Sequence, residues 1–422
     1  MKKLFLRMKN SKIFKNVLVL ISGNSLARIF PIIFVPILSR LYGVENFALF
    51  GIYSSFVVLL NSFSSGNYEF AVVLPKYDGI AKGLQKLSLL ICFLFSVILF
   101  IILYFISDIV IIYTKSELGK YFIYLLPSSL LINTYLATLN QWNVRKRYFK
   151  VLTISHIVNS LLTSIIQIIF AVFKIYGIGL ILGSITGNIL TCAFIQITFF
   201  IKEERRHYKT TLVRYNFIMK RYKNFPLYRM PSTILNKVQD SLPLLIFNMY
   251  FSPEFVGYYS MAKKILYLPV TVIGRSIGNV FTSYAAKQVN EGKSCLSMYK
   301  SFLRILVVLG LIGIGIIFGT IQWLVPIFLG VKWVGIETII RVLCLRLLFA
   351  FISTPLSRIF MISDKLKQHF IFQLIQTIGI VSLVYISARY FNEFTAILLF
   401  SIISSMFKVV YIYLGYNYAK TT

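Results

Sequence analysis

The stretch LSLLICFLFSVILFIILYFI, residues 87–106, runs for 20 positions without a charged side chain. As a helix rising 1.5 Å per residue it spans about 30 Å, the thickness of a bilayer's hydrocarbon core. Inside that layer a single segment must satisfy its own backbone hydrogen bonds, so the run predicts a membrane-spanning helix. Its apolar residues are continuous rather than alternating, which excludes a strand of a transmembrane barrel. Working outward, comparable runs fall at about 17–38, 47–66, 121–140, 151–173, 178–201, 231–250, 256–283, 301–323, 336–360, 370–388 and 394–414. With residues 87–106 they predict twelve spans joined by short loops, with no room for a soluble domain. Composition agrees: 58% of the 422 residues are hydrophobic and 14% are charged, against roughly 45–50% and 25% in soluble domains. Met1-Lys2-Lys3 begins like a signal peptide, but no small-residue cleavage site follows and the apolar run continues to Leu38. The first helix is therefore expected to be retained.

The charge is lopsided, with 44 Lys and Arg against 13 Asp and Glu. In a soluble chain this would suggest nucleic acid; here it reports topology and substrate instead. Twenty-eight basic residues collect on one side of the predicted spans and six on the other, while ten lie within spans. The basic side includes the N-terminus, Arg145-Lys146-Arg147 and nine residues of 202–230, and it is the cytoplasmic side by the positive-inside rule. Both termini are then cytoplasmic. Cys92, Cys192, Cys295 and Cys344 share no short spacing, and His156, His207 and His369 are isolated. No disulfide framework or metal site is expected, and no cofactor.

The chain contains a weak internal repeat. Val44-Glu45-Asn46-Phe47-Ala48-Leu49-Phe50 aligns with Pro253-Glu254-Phe255-Val256-Gly257-Tyr258-Tyr259 at an offset of 209, and the same offset pairs Arg28 with Lys237. Each half holds six spans and starts in the cytoplasm, so the repeat is parallel. The expected fold is an all-α polytopic membrane protein of two six-helix lobes around a central cavity. The N-lobe covers residues 1–205, a basic linker 206–230, and the C-lobe 231–422. Pro31, Pro36, Pro231 and Pro243 either bend helices beside the cavity or are simply tolerated. Gly179, Gly183 and Gly187, and likewise Gly315 and Gly319, are expected to mark close helix packing.

A charge at the centre of a span costs about 2.5–3.5 kcal/mol on insertion scales, so it needs water or an interior partner. Arg275, Arg304, Arg358 and Lys408 lie nearer span ends and can snorkel. Arg341 can pair with Glu337 four residues earlier. Arg28, Lys237, Lys263, Lys264 and Arg346 have no such explanation, and Asp240 is the one acid deep in a span. Asp240 is either a coupling-ion site for H+ or Na+ or the salt-bridge partner of Lys237. The surplus of buried positive charge points to a water-filled cavity that receives an anion, and Lys and Arg together suit phosphate oxygens. Arg28 and Lys237 are expected to approach each other across the pseudo-two-fold axis. Asn24, Asn140, Asn143, Asn236 and Gln239 could hydrogen-bond sugar or serve helix packing.

Four stretches carry a family resemblance. They are Arg221-Tyr222-Lys223-Asn224-Phe225-Pro226-Leu227-Tyr228, Asn140-Gln141-Trp142 with Arg145-Lys146-Arg147, Tyr68-Glu69-Phe70-Ala71-Val72-Val73-Leu74-Pro75, and Gly330-Val331-Lys332-Trp333. In their order and placement the chain resembles the Wzx-type polysaccharide flippases of the multidrug/oligosaccharidyl-lipid/polysaccharide exporter superfamily, nearly end to end. The resemblance implies a non-enzymatic transporter in the bacterial cytoplasmic membrane, working as a monomer near a polysaccharide polymerase. It implies movement of a polyprenyl-diphosphate-linked oligosaccharide to the outer leaflet for O-antigen or capsule synthesis, the lipid tail staying in the bilayer. No cavity residue carries over by motif, so the candidate site rests on burial and charge.

Two other readings compete. A drug/cation antiporter of the same fold needs lumenal carboxylates, and Asp240 alone supplies one. A membrane polymerase or ligase needs a sizeable outward loop, and the longest here is about residues 107–120.

Overall fold

The computed structural model describes Ala27 and residues 29–202, 212–291, 294–363 and 365–421. Their regular secondary structure is helical, with no strand among the described residues. The helices are α1 (Ile29–Leu41), α2 (Val44–Asn61), α3 (Asp78–Phe105), α4 (Ser107–Thr114), α5 (Phe122–Arg145), α6 (Phe149–Val172) and α7 (Tyr176–Lys202). They continue as α8 (Leu212–Arg221), α9 (Met230–Tyr250), α10 (Pro253–Pro269), α11 (Arg275–Asn290), α12 (Leu296–Phe328), α13 (Ile336–Leu356), α14 (Ile359–Ile362), α15 (Leu366–Tyr390) and α16 (Glu393–Thr421).

Nine of the described segments are long and apolar enough to cross a membrane. The other three expected spans correspond to α1, α9 and the pair α10–α11, which a π-helical turn at Val270–Gly274 joins. Of the last two, α9 falls short in apolarity, because it carries Lys237 and Asp240, and α10 carries Lys263 and Lys264 and is only 17 residues long. Helix α3 begins nine residues before the expected 87, its first turns amphipathic rather than apolar.

The chain divides into two compact units. One holds Ile52–Lys237 with the residues up to Tyr42; the other holds Val238–Thr422 with Gly43–Gly51. In the first unit α6 and α7 pack closely along the glycine stripe. A Cβ on Gly183 would meet the Gln167 backbone, one on Gly187 the Thr163 backbone, and one on Gly179 the Tyr42 side chain. Tyr42 locks the same seam by donating from its hydroxyl to the Gln167 carbonyl at 2.7 Å. Gly315 and Gly319 behave differently, because a Cβ on either would meet open space. Helix α12 is largely exposed on the surface the bilayer would cover, and these two glycines pack against nothing among the described residues.

In the second unit the two repeat segments lie against each other. A Cβ on Gly257 would collide with the Val44 carbonyl, and one on Gly51 with the Ser260 side chain. Gly51 and Ser260 are related by the same offset of 209 as the sequence repeat. Phe47 then reaches Trp333, ring to ring at 5.2 Å, and Trp333 is fully buried.

Candidate functional site

Three helices of the second unit build a charged cluster: α10, α13 and α16. Across the α13–α16 seam Ser401 Oγ donates to the Val342 carbonyl at 2.6 Å. One turn further along α13 from that bond, Arg346 projects among aromatic rings. Its guanidinium lies 4.6 Å from the Phe400 ring centroid and 5.3 Å from that of Tyr267. The flat cation over π faces is favourable, and more so where water is excluded. Tyr259, on the same helix as Tyr267, is fully buried within electrostatic reach of Arg346.

Lys408 on α16 belongs to this group. It lies within reach of both Arg346 and Asp240 and 5.8 Å from the Tyr411 ring. Its sequence position suggested snorkelling toward a span end; the structure instead sets it partly buried beside the cluster. One turn of α16 separates Phe400 from Ser404 and a second brings Lys408 to the same face, a spacing of i, i+4, i+8 that could have flagged it.

Lys263 and Lys264 diverge. Lys263 Nζ donates to the backbone carbonyl of Asp240, within α9. Lys264 faces the other way, 5.7 Å from the Phe47 ring and 6.0 Å from that of Phe50. Lys237 and Asp240 form no ion pair in the structure, although they are three residues apart on α9. Lys237 is partly buried and Asp240 is exposed. Gln239 is partly buried, and its side-chain Nε2 has no partner among the described residues. Asn236 is tied to its own helix, donating to the Ser232 carbonyl at 2.9 Å. Arg28 and Asn24 lie outside the described residues, and so does the expected approach of Arg28 to Lys237.

The expected Glu337–Arg341 pair does not form. Glu337 Oε2 instead accepts from the Gly335 backbone N–H at 2.6 Å, at the start of its own helix, and Arg341 Nη2 donates to Gln322 Oε1 at 3.3 Å. A carboxylate in the first turn of a helix is already favoured by unsatisfied N–H groups there.

The first unit contributes a buried carboxyl that the charge argument missed. Glu69 sits in a 3-10 turn, Tyr68–Val73, between α2 and α3 and is 6% exposed. Ser65 Oγ donates to its Oε2 at 2.6 Å, and Arg229 lies near, its guanidinium 4.0 Å from the Phe70 ring. Burial pushes the Glu69 carboxyl up from the usual carboxylate range, against the opposing pull of Ser65 and Arg229. The sequence signal was present in Tyr68-Glu69-Phe70, an acid flanked by aromatics in a chain with few acids. At the end of α5 Asn143 is buried and Asn140 partly buried, each with a buried side-chain atom that has no partner among the described residues. Such atoms in native folds call for water or a ligand.

Comparison with known proteins places this geometry in a class. Residues 37–337, well over half of the chain, match the family described as polysaccharide biosynthesis protein. The chain is a multi-pass membrane protein and belongs to that family. Among solved structures it is similar to a multidrug resistance MATE family transporter of the MOP superfamily in an inward-facing conformation. That match has a TM-score of 0.73 and 15% identity, over 94% of this chain and 96% of the other. It is also similar to the lipid II flippase MurJ in an inward closed conformation, with a TM-score of 0.63 and 17% identity, over 97% and 87%. A third is a MOP superfamily transporter from Pyrococcus furiosus, whose binding pocket is described as having reverse polarity. It has a TM-score of 0.60 and 14% identity, over 96% and 94%. These likenesses establish the MOP-type helical fold. No curated protein matches the chain.

Proposed function

We propose that the protein flips a polyprenyl-diphosphate-linked oligosaccharide from the cytoplasmic to the outer leaflet of the inner membrane, supplying O-antigen or capsule assembly. The observation that carries this reading is the sign of the charge among α9, α10, α13 and α16. Arg346 and Lys408 stand within electrostatic reach of one acid, Asp240, and Lys264 faces the Phe47 and Phe50 rings on the other side of α10, all in helices that otherwise suit a bilayer. Uncompensated cations at that depth are costly, and a diphosphate would compensate them. A ligand that neutralises the cluster binds best to the state in which these groups surround it, which is the differential affinity a transport cycle requires. The polysaccharide family and the flippase fold support the same reading. Asp240, which forms no ion pair with a lysine among the described residues, is the proposed site for a coupling H+ or Na+.

The test is flipping in proteoliposomes, with a lipid-linked diphosphate oligosaccharide as substrate and a soluble glycosidase reporting its arrival on the far leaflet. Arg346→Gln and Lys264→Gln are each expected to lower the flipping rate at least tenfold while the protein still inserts. Undiminished flipping in both variants would overturn the anion reading. A drug/cation antiporter would instead export ethidium faster once these cations are removed.

A further inference from the structure

The basic segment ahead of α9 is built into the first unit on one side only. Tyr215 and Ile218 of α8, then Tyr222 and Phe225, follow a helical spacing of i, i+3, i+7 and i+10. They pack into the cluster formed by Tyr68, Val72, Leu84 and Trp142. Ile218 is fully buried there, so the segment is held against the protein rather than tethered loosely. Its outer face is neither purely polar nor purely apolar. Phe217 is 52% exposed, Leu227 59% and Tyr228 72%, and Met219 is exposed beside them. Interleaved with these are Lys220, Arg221 and Lys223, all exposed. The Arg221 guanidinium lies 5.9 Å from the Phe217 ring, so cation and aromatic share one patch. No acidic residue occurs from Arg205 to Met230.

A helix facing bulk water would show polar residues there, and one facing acyl chains would show no lysine. Aromatic and basic residues side by side, at the foot of a span, match the headgroup layer. Arg229 is not part of the patch, because it turns toward Phe70 and Glu69. We infer that the outer face of α8 and the turn after it forms a docking surface for anionic phospholipid headgroups, with Phe217, Leu227 and Tyr228 inserted at the acyl boundary and Lys220, Arg221 and Lys223 holding the phosphates. The surface would fix the linker to the leaflet from which substrate is taken.

The four native cysteines are buried, so a Met219→Cys variant of the full chain can be labelled selectively with an environment-sensitive fluorophore. The protein is placed in nanodiscs of phosphatidylcholine alone or mixed with phosphatidylglycerol, with acyl-brominated lipid as quencher. Strong quenching is expected in phosphatidylglycerol discs, weakening as salt is added and weak in neutral discs. Lys220→Gln, Arg221→Gln and Lys223→Gln should each lower the bound-to-free ratio about fivefold, whereas Lys220→Arg should retain it. Quenching that is equal in the two lipids and indifferent to salt would overturn the proposal, and these two readings on the unaltered charges need no folding of the variants. A blue shift in neutral discs on adding inorganic pyrophosphate would overturn it in favour of a soluble-phosphate site.

Discussion

Arg346 and Glu69 show how single side chains set the chemistry of each unit. Arg346 is a planar cation between the rings of Phe400 and Tyr267, a setting that the compact ammonium of lysine does not reproduce. Arg346→Lys is therefore expected to flip substrate more slowly than the parent protein, despite keeping its charge; an unchanged rate would show that point charge suffices. Glu69 presents the opposite electrostatic problem. Its folded-state affinity for a proton is raised by burial. A group of this kind stabilises the fold fully below its unfolded-state value, and the contribution is lost as pH rises through the folded-state value. Glu69→Gln mimics the protonated side chain, so it should raise the unfolding temperature at mildly alkaline pH and leave it unchanged near pH 4. Thermal unfolding in detergent at the two pH values checks this. Destabilisation by Glu69→Gln at both would mean that the carboxylate facing Arg229 is the needed form.

At the scale of elements, the turn between α2 and α3 is held by one side chain of α5. Arg145 pairs with Asp78 at 2.8 Å and donates to the carbonyls of Val72, Val73, Pro75 and Lys76. Lys146 adds a second bond to Asp78, also at 2.8 Å. Asp78 opens α3, where a negative charge is favoured by the helix N-terminus. Arg145→Ala leaves those carbonyls without a donor and should cost about 2–3 kcal/mol of stability, read by chemical or thermal unfolding. Arg145→Lys should recover only the part owed to Asp78. The crossing of the repeat segments is equally specific. Gly257→Leu would drive a side chain into the Val44 carbonyl, and backbone cannot yield as a flexible side chain can. The variant should reach the membrane at a lower level or lose polymer display; normal level and display would disprove the close crossing.

At the scale of the whole molecule, the 28 to 6 distribution of loop cations argues for cytoplasmic termini and a cytoplasmic 202–230 segment. Reporter fusions at Thr422 and near His207 should both report the cytoplasm, and an outward signal at either would overturn the topology. The apolar runs, their number and the charge between them needed only the sequence, because the bilayer imposes one length and one polarity on every span. The packing of the Gly179-Gly183-Gly187 stripe was legible as well. The identical spacing at Gly315 and Gly319 shows the limit: small residues permit close approach, but whether another helix arrives is decided by the fold. Partners of charges were likewise decided in three dimensions. Helical spacing paired Glu337 with Arg341 and offered Asp240 to Lys237, yet Glu337 bonds the Gly335 N–H, and Lys263 reaches the Asp240 carbonyl from a different helix. Lys408 joined the cluster because α16 packs on α13, and Glu69 was buried because its turn folds under α5. Local sequence determines which segments enter the membrane and which residues are costly there. The tertiary structure alone determines which distant side chain meets each costly residue.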